Sequence, residues 1–394
     1  MNETIYAMML TSMEGMTPLR CYALFRSFGS FIKIFNTPSN GLNEVLNSFC
    51  NRGTRITSDL IKKQGLKYNK FQKYYNRLIS INIQVFTVLD EEFPIRLLDI
   101  EDCPIVIYMK GNAKLPEFGI GIVGARRCSD YGRKVAHYMA RELAKEGVNI
   151  ISGLAYGVDV SSHLGALEAN GFTTSVLGGG LHECYPPKHL SIFNQISEAG
   201  CLISEEPYGK MTEPYMFPKR NRIISGLSHG ILVVEAARKS GSLITVDFAL
   251  EQGREVFTVP GRLFDPLAEG TNNLIKLGAK QIFTCDDILD EFVNIFKKNG
   301  NKSNEFEKKL EEKEKIVYSC ISYDPIHEEI LVNDVFDKVN ICVGTFTKDS
   351  EFNKDELKIL AAMDESDIHL SLLGLELKGL IIKKSGCYYA RSEV

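Results

Sequence analysis

The first part of the chain carries apolar residues at helical spacing. They recur at intervals of three and four within residues 5–13, 20–35 and 42–49, and polar breaks such as Pro38-Ser39-Asn40-Gly41 separate these segments. Such spacing is typical of amphipathic helices that bury one face in a common core. We therefore expect a small helical domain over residues 1–80.

The turn between the first two predicted helices, Met13-Glu14-Gly15-Met16-Thr17-Pro18, gives this domain some likeness to SAM and helix-hairpin-helix domains. The backbone amides of a helix-hairpin-helix turn can hold a phosphate. Thr17 stands where the second glycine of that pattern is expected, so structural packing is the favoured interpretation.

From residue 119 to about residue 283 the pattern becomes strand, glycine-rich turn and helix, repeated. The predicted strands cover residues 119–123, 148–152, 173–177, 201–204, 230–234 and 255–259. This alternation predicts an α/β fold, with an extended Rossmann-like central domain over residues 81–296. Ligands of such sheets bind at the carboxyl ends of the strands.

The remaining residues divide into a charged segment and a small predicted domain. Residues 297–315 are polar and charged, which is typical of a linker. Residues 316–394 end in an amphipathic helix and two short strands joined by a Ser-Gly turn, which indicates a winged-helix-like domain. Residues 341–353 are polar and fit no clear helix of such a domain.

Composition narrows the class of protein. At 394 residues the chain is too long for one core, and 44% hydrophobic with 24% charged residues is ordinary for a globular protein. The ten cysteines include no C-x-x-C pair, so we expect no zinc ribbon and reduced cysteines in a cytoplasmic protein. No apolar stretch approaches the roughly 20 residues of a membrane span, and no signal peptide is expected.

The net charge of −4 argues against a protein that coats nucleic acid, because such proteins are usually basic. Residues 119–284 hold 17 lysines and arginines against 16 aspartates and glutamates. Any nucleic-acid site must therefore be a groove with a few well-placed cations.

Four glycine-rich loops lie where such sheets bind phosphate. They contain Gly124, Gly153, Gly178 and the run Gly270-Thr271-Asn272. Small residues let the backbone approach a phosphate, and the N-terminus of a helix offers unpaired amides. Arg126 and Arg127 follow shortly after the first of these glycines. The forked guanidinium of an arginine can donate hydrogen bonds to two phosphate oxygens at once. The formal G-x-G-x-x-G match at residues 119–124 is interpreted as accidental, because its first two glycines lie inside a strand.

The densest positive charge follows an aromatic residue, in the run Phe217-Pro218-Lys219-Arg220-Asn221-Arg222. Phe217 can stack on a base while the cations neutralise phosphates, which suits a single strand with splayed bases. We expect Lys219 to face the ligand. One arginine is expected to pair with a buried carboxylate such as Glu235.

Signals for catalysis are weak. The sequence holds no P-loop, no H-E-x-x-H and no zinc-deaminase pattern, and its seven histidines do not cluster. His163 is expected to be a packing residue. We predict no catalytic residue, no metal and no cofactor.

The central motifs occur in an order that resembles the DprA/Smf family over residues 119–283. They read VGARRCSDYG, SGLAYGVDVSSHLGAL, LGGGLHECYPPKH, ISEEP, FPKRNRIISGLSHGILVVEAARKSGSLIT, GREVFTVPG and EGTNNLIKLGA. The resemblance is looser in the helical N-terminus and in the segments LLGLELKGLI and GCYYAR.

The resemblance implies a protein that binds single-stranded DNA without sequence specificity and carries out no reaction of its own. Members of the family dimerise, bind RecA and help RecA replace single-strand-binding protein on DNA taken up in natural transformation. Arg126 matches the family's arginine after the first strand, and Lys219, Arg220, Asn221 and Arg222 match its basic motif. Gly153, Gly178 and Gly270–Asn272 match loops near the bound strand. Ala125 departs from the serine or threonine that the family often has there.

Two other functions stay open at this point. The same type of Rossmann fold occurs in nucleotide phosphoribohydrolases, but the loop Leu177–Glu183 lacks their G-T-x-x-E pattern. Glu183 and Glu205 would be the candidate acids of such an enzyme. A transcription factor led by the winged helix is the third interpretation, and the size and modest basic charge of that domain disfavour it.

Overall fold

A computed structural model describes residues 2–49, 56–293 and 295–296 of the chain, and beyond them residues 317, 326–327, 368, 370–372, 375, 381–384 and 388–391. The chain divides into two compact units, Met1–Ile288 and Leu289–Val394. The candidate site lies in the first unit.

Helices form the N-terminal part of the first unit. They are α1 (Glu3–Thr11), α2 (Pro18–Phe28), α3 (Phe31–Asn36), α4 (Ser39–Phe49), α5 (Ser58–Gly65) and α6 (Tyr68–Ser80). Thr17 begins α2 by accepting a hydrogen bond from the Arg20 amide, and left-handed Gly29 ends it. The turn that resembles a helix-hairpin-helix thus serves as a helix cap.

A nine-stranded sheet forms the centre of this unit. Its strands are β1 (Ile83–Thr87), β2 (Val106–Gly111), β3 (Gly119–Val123), β4 (Asn149–Ser152), β5 (Thr173–Val176), β6 (Cys201–Ser204), β7 (Gly230–Val233), β8 (Glu255–Thr258) and β9 (Lys280–Gln281). The strands β3 to β8 agree within one residue with those predicted from the sequence. The predicted α/β fold is confirmed.

The strand order is β1-β2-β6-β5-β4-β3-β7-β8-β9. The strands from β6 to β9 in this order are parallel, whereas β1 and β2 add an antiparallel extension beside β6. The chain moves outward from β3 to β6 and then returns to place β7 on the other side of β3. In parallel sheets, the crevice at such a reversal is where ligands bind.

Helices α7 (Asp130–Lys145), α8 (Val158–Glu168), α9 (Leu190–Ala199), α10 (Met216–Leu227), α11 (Leu243–Glu251), α12 (Glu269–Lys276) and α13 (Asp286–Leu289) complete the described helices of the central region. Leu202 packs in one core with Phe193 of α9, whereas Ile203 packs in another with Ile223 of α10. Neighbouring strand residues point to opposite faces, so α9 and α10 cover opposite faces of the sheet.

The N-terminal helices and the sheet share a core. Side chains from α1 to α6, from β1 and β2, and from α9 belong to one hydrophobic cluster. Tyr74 of α6 also donates a hydrogen bond from its hydroxyl to the carbonyl of Tyr208, at 2.9 Å. The sequence predicted separate domains at residues 1–80 and 81–296. Within the first unit, which ends at Ile288, these two regions instead share one core.

The described residues of the second unit include a small antiparallel sheet, with strands Ile326–His327, Ile381–Lys384 and Tyr388–Arg391. The last two are near the strands that the sequence predicts. The predicted linker at residues 297–315 and most of the predicted winged-helix domain lie outside the described residues. Among the helices described in either unit, none is long and apolar enough to cross a membrane.

His163 is fully buried under the sheet, as its predicted packing role requires. Its Nδ1 lies 2.7 Å from the Thr173 hydroxyl, which itself donates to the Ile150 carbonyl. This assigns the proton to Nδ1 and leaves Nε2 as an acceptor without a partner. Burial, with smaller contributions from Arg220 and His189, lowers the pKa of His163 to about 3.

Acid should therefore destabilise the fold through His163. The unfolded chain, with a histidine pKa near 6.5, takes up the proton first, so this part of the stability is complete above about pH 6.5. It is lost progressively as the pH falls from 6.5 towards 3. Urea unfolding midpoints measured across this range should decline with falling pH, and less steeply in His163→Gln. His137→Gln, which removes a partly exposed histidine paired with Glu168, is the control. An unchanged slope in His163→Gln would contradict the assignment.

Candidate nucleic-acid interface

A cleft of about 630 Å³ opens between the loops that follow β3 and β7, where the strand order reverses. Six of the predicted site residues line it together: Gly124, Arg126, Arg127, Phe217, Arg220 and Asn221. Residues separated by more than 90 positions in the sequence thus meet at the edge where a ligand is expected.

The basic run lies on a helix, and this decides which of its side chains reach the cleft. Phe217, Arg220, Asn221 and Ile224 line the cleft from one face of α10, at the i, i+3, i+4 and i+7 positions. Successive helical residues point about 100° apart, so the cations of the run cannot all face one ligand.

A cation and two aromatic rings form a row at the mouth of the cleft. The Arg126 guanidinium lies 5.1 Å from the centre of the Phe217 ring, and the Tyr185 ring centre lies 5.3 Å from that of Phe217. Arg126 is exposed, Phe217 is partly exposed and Tyr185 is 47% exposed. The row offers flat apolar surfaces and a charged edge to a ligand.

Arg220 forms part of the floor of the cleft. Its Nη1 donates to the Gly153 carbonyl at 2.7 Å and also to the Val176 carbonyl. Its side chain is buried and its Nε has no hydrogen-bond partner in the described structure. Burial lowers the pKa of Arg220 to about 10, against the attraction of the nearby Asp159 carboxylate. The floor therefore carries a desolvated positive charge.

Asp159 is the one carboxylate among the described residues that line the cleft. It accepts hydrogen bonds from the backbone amides of Gly153 and Ala155, at 3.2 and 3.4 Å. Burial raises the pKa of Asp159, and Arg220 opposes the shift. The amides of this glycine-rich loop are thus occupied by an internal carboxylate, where the sequence predicted an external phosphate.

Glu235 occupies the N-terminus of α7 in a similar way. Its carboxylate accepts hydrogen bonds from the Ser129 amide at 2.8 Å and from the Ser129 hydroxyl at 2.5 Å. Ser129 in turn caps the helix by accepting from the Gly132 amide. A buried side chain thus already supplies negative charge at the helix end where the sequence predicted a phosphate.

Arg222 is buried, pairs with two partly exposed carboxylates and does not line the cleft. It is 1% exposed, and its guanidinium donates to the carboxylates of Asp102 at 2.6 Å and Glu205 at 2.8 Å. An arginine of the run does pair with carboxylates, as expected, but with the partly exposed Asp102 and Glu205 and not with a buried one such as Glu235. Burial lowers the pKa of Arg222, and the two carboxylates more than offset this and raise it. The structure gives Arg222 a stabilising role in place of the predicted contact with DNA.

Lys219 lies beside these ion pairs and outside the cleft lining. Its amine pairs with Glu205 at 3.1 Å and Glu206 at 3.0 Å, while 40% of its side chain stays exposed. Burial lowers the pKa of Lys219, but the two carboxylates outweigh that effect and raise it. A phosphate would have to compete with both glutamates for this cation.

The remaining predicted glycines support the cleft from outside its surface. A Cβ added to Gly153 would collide with the Arg220 guanidinium, and one added to Gly178 would lie 3.2 Å from the Phe217 ring. Gly270 donates its amide to the Ala236 carbonyl at 2.8 Å, Thr271 is buried, and Asn272 bonds to Gly261 at both its amide nitrogen and oxygen. These contacts with protein take the place of the predicted contacts with a ligand.

Sequence reasoning missed one wall of the cleft. Ser240, Gly241 and Ser242 line it in the loop between β7 and α11, and the N-cap residue Ser242 makes no side-chain capping bond. The same loop exposes Arg238 and Lys239. The other loops were predicted because each is a turn of small residues between a strand and a helix. The Ser240–Ser242 loop has the same pattern and could have been predicted in the same way.

The candidate acids of a phosphoribohydrolase lie outside the lining of the cleft. Glu205 is held by Arg222 and Lys219, and Glu183 accepts a long hydrogen bond of 3.4 Å from the Thr212 amide. Among the described residues, no group of three or more histidine, cysteine, aspartate or glutamate side chains is placed to hold a metal ion.

Comparisons with known proteins point to one family. The sequence profile described as DNA recombination-mediator protein A matches residues 84–293. The chain is 41% identical to the DNA processing protein DprA of Bacillus subtilis (strain 168) over 245 residues, which cover 60% of this chain and 82% of that protein. It is 40% identical to the DprA of Streptococcus pneumoniae over 208 residues, covering 52% and 73%.

Solved structures of the same kind of protein resemble this fold. DNA processing protein A from Streptococcus pneumoniae matches with a TM-score of 0.58 and 30% identity, covering 71% of this chain and 98% of that one. DNA processing protein A from Helicobacter pylori, studied for its single-stranded DNA binding mode, matches with a TM-score of 0.50 and 29% identity, covering 54% and 98%.

The buried Arg222 and the exposed Arg126 should contribute differently to the stability of the fold. Arg222→Met should lower the free energy of unfolding by about 2 kcal/mol, because Glu205 loses its buried partner and keeps only Lys219. Arg126→Ala should change it by less than about 0.5 kcal/mol, because that side chain is exposed. Urea unfolding of both variants measures the difference, and equal losses would contradict the assigned roles.

Proposed function

The chain belongs to the DNA recombination-mediator protein A family, and on that premise we propose that it binds single-stranded DNA, without sequence preference, in the cleft between β3 and β7. The row of Arg126, Phe217 and Tyr185 is the observation that carries the proposal. Stacking on aromatic rings tolerates any base, because every base has a π-face. A duplex keeps its bases stacked inside and offers none to the row.

The charges around the row suit a phosphodiester chain. Arg126 and Arg127 supply exposed cations, and the buried Arg220 adds a positive potential at the floor. Asn221 and the serines of the Ser240–Ser242 loop add polar groups for sugar and phosphate oxygens. A cleft with few acidic side chains binds an anionic strand in spite of the negative net charge of the chain.

The proposed contact residues differ in part from those predicted from the sequence. Gly124, Arg126, Arg127, Phe217 and Asn221 stay as proposed contacts, and Tyr185, Ser240 and Ser242 join them. Lys219 contributes only if a phosphate displaces its glutamates. Gly153, Gly178, Arg220, Arg222 and residues 270–272 position the others.

The wider role is proposed from the family. The profile that matches is that of a recombination mediator, and the resemblance to the DprA/Smf family implies that RecA is loaded on incoming single strands in place of single-strand-binding protein. We extend this to the present chain, acting as a homodimer in the cytoplasm and carrying out no reaction of its own. Its C-terminal region is proposed to be a winged-helix domain. A shorter lag in ATP hydrolysis by RecA on strands coated with single-strand-binding protein would support this role, and an unchanged lag would contradict it.

Substitutions in the row should weaken binding in two distinguishable ways. Phe217→Ala should cost about 1–3 kcal/mol of binding free energy, because a stacked base loses its ring. Arg126→Ala should flatten the plot of log affinity against log salt by about 0.7, because one phosphate contact is lost. Fluorescence anisotropy with a labelled thymidine oligonucleotide at several salt concentrations measures both effects.

Arg141→Ala is the matched control, because Arg141 lies on α7 far along the helix from the cleft and pairs with Glu142 and Glu168. Its affinity and salt dependence should equal those of the wild type. If Arg126→Ala and Phe217→Ala, combined in one folded protein, bind the oligonucleotide with full strength, the cleft is not the site.

A further inference from the structure

The most one-sided charge of the chain lies in the N-terminal helices, away from the cleft. Residues 60–89 contain five lysines and one arginine but no aspartate or glutamate, although the whole chain holds 50 acidic residues against 46 basic ones. A surface that serves only solubility usually mixes both signs of charge. This segment includes the second half of α5 and all of α6.

Helical spacing arranges three of these cations as a stripe along α6. Lys70, Lys73 and Arg77 are three and four residues apart, so they share one face of the helix, and all three are exposed. Within the described part of the chain, none of the three forms an ion pair. The side of α6 that faces the N-terminal core carries Phe71, Tyr74, Tyr75 and Leu78.

The middle of α6, which carries the stripe, reaches the same edge of the sheet as the cleft. The Tyr74 hydroxyl of α6 donates to the carbonyl of Tyr208, four residues beyond the carboxyl end of β6. The loop that contains Tyr208 continues to Tyr215, where α10 and its cleft-lining face begin. Its Lys210 carbonyl also accepts from the Gly180 amide, in the loop after β5. One continuous edge therefore connects the cleft to α6.

We propose that the stripe of Lys70, Lys73 and Arg77 is a second binding site for the phosphodiester backbone, on which a single strand continues after it leaves the cleft. The inference rests on the proposed function of the cleft, whose strand it extends. Three unpaired cations in one line suit a linear polyanion, and the absence of acidic side chains on the segment removes the repulsion that such a strand would meet. The stripe offers no aromatic ring on its exposed face, so it holds the backbone without regard to sequence.

The length of the DNA separates the two sites. The triple variant Lys70→Gln/Lys73→Gln/Arg77→Gln should bind a thymidine oligonucleotide of about 6 residues like the wild type, since so short a strand is held by the cleft alone. With an oligonucleotide of about 30 residues, its affinity should fall on the order of 10- to 100-fold at low salt, and its salt dependence should flatten by about 2.

The matched control removes the same charge from the opposite edge of the sheet. Lys114 follows β2, which ends beside the first residue of β6, and Lys145 and Lys276 end the helices that lead into β4 and β9. The triple variant Lys114→Gln/Lys145→Gln/Lys276→Gln should bind both lengths like the wild type. Circular dichroism of the full-length variants checks that each is folded.

The outcomes distinguish the two proposals. Equal binding of the long oligonucleotide by the wild type and the stripe variant, at every salt concentration, overturns the stripe and leaves the cleft standing. An equal loss in the stripe variant and the control variant also overturns it, because net charge then explains the effect. Failure of the wild type to bind either length overturns the proposed function itself.

Discussion

Two buried arginines of α10 hold the helix against the ends of three neighbouring strands, and the geometry of the cleft depends on them. Arg220 bonds to the carbonyl of Gly153 after β4 and to that of Val176 in β5. Arg222 joins Glu205, after β6, to Asp102. A guanidinium without such partners would be costly to bury, so the helix has one stable rotation and depth. In that rotation Phe217 meets Arg126, and Lys219 turns towards the glutamates.

The same logic explains why the glycine-rich loops are closed to a ligand at several points. Asp159 and Glu235 supply internal negative charge to loop amides and to the start of α7, which would otherwise be left unpaired in a buried place. Glycine is required at positions 124, 132 and 153 because side chains or carbonyls of the neighbouring elements fill the space of a Cβ. The loops thus form a closely packed base, and the proposed binding surface consists of the side chains that project above them.

Much of this fold could be predicted from the sequence, because apolar runs, turn residues and helical spacing are local signals. The strands β3 to β8 and the place of the candidate site at their carboxyl ends follow from such patterns. The orientation of the basic run does not. Adjacent cations resemble one patch in the sequence, but a helix separates Lys219, Arg220 and Arg222 by about 100° for each residue. The partner of Arg222 lies 120 positions away at Asp102, and no local pattern identifies it.

In the proposed binding mode, bases stack on the row formed by Arg126, Phe217 and Tyr185. The most direct test is photochemical crosslinking of a thymidine oligonucleotide that carries 5-iododeoxyuridine, with the crosslinked residues identified by mass spectrometry. Excited iodouracil reacts with aromatic rings in contact with it, so crosslinks are expected at Phe217 and Tyr185. Crosslinks confined to tyrosines remote from the cleft, with neither residue modified under conditions of full binding, would contradict it.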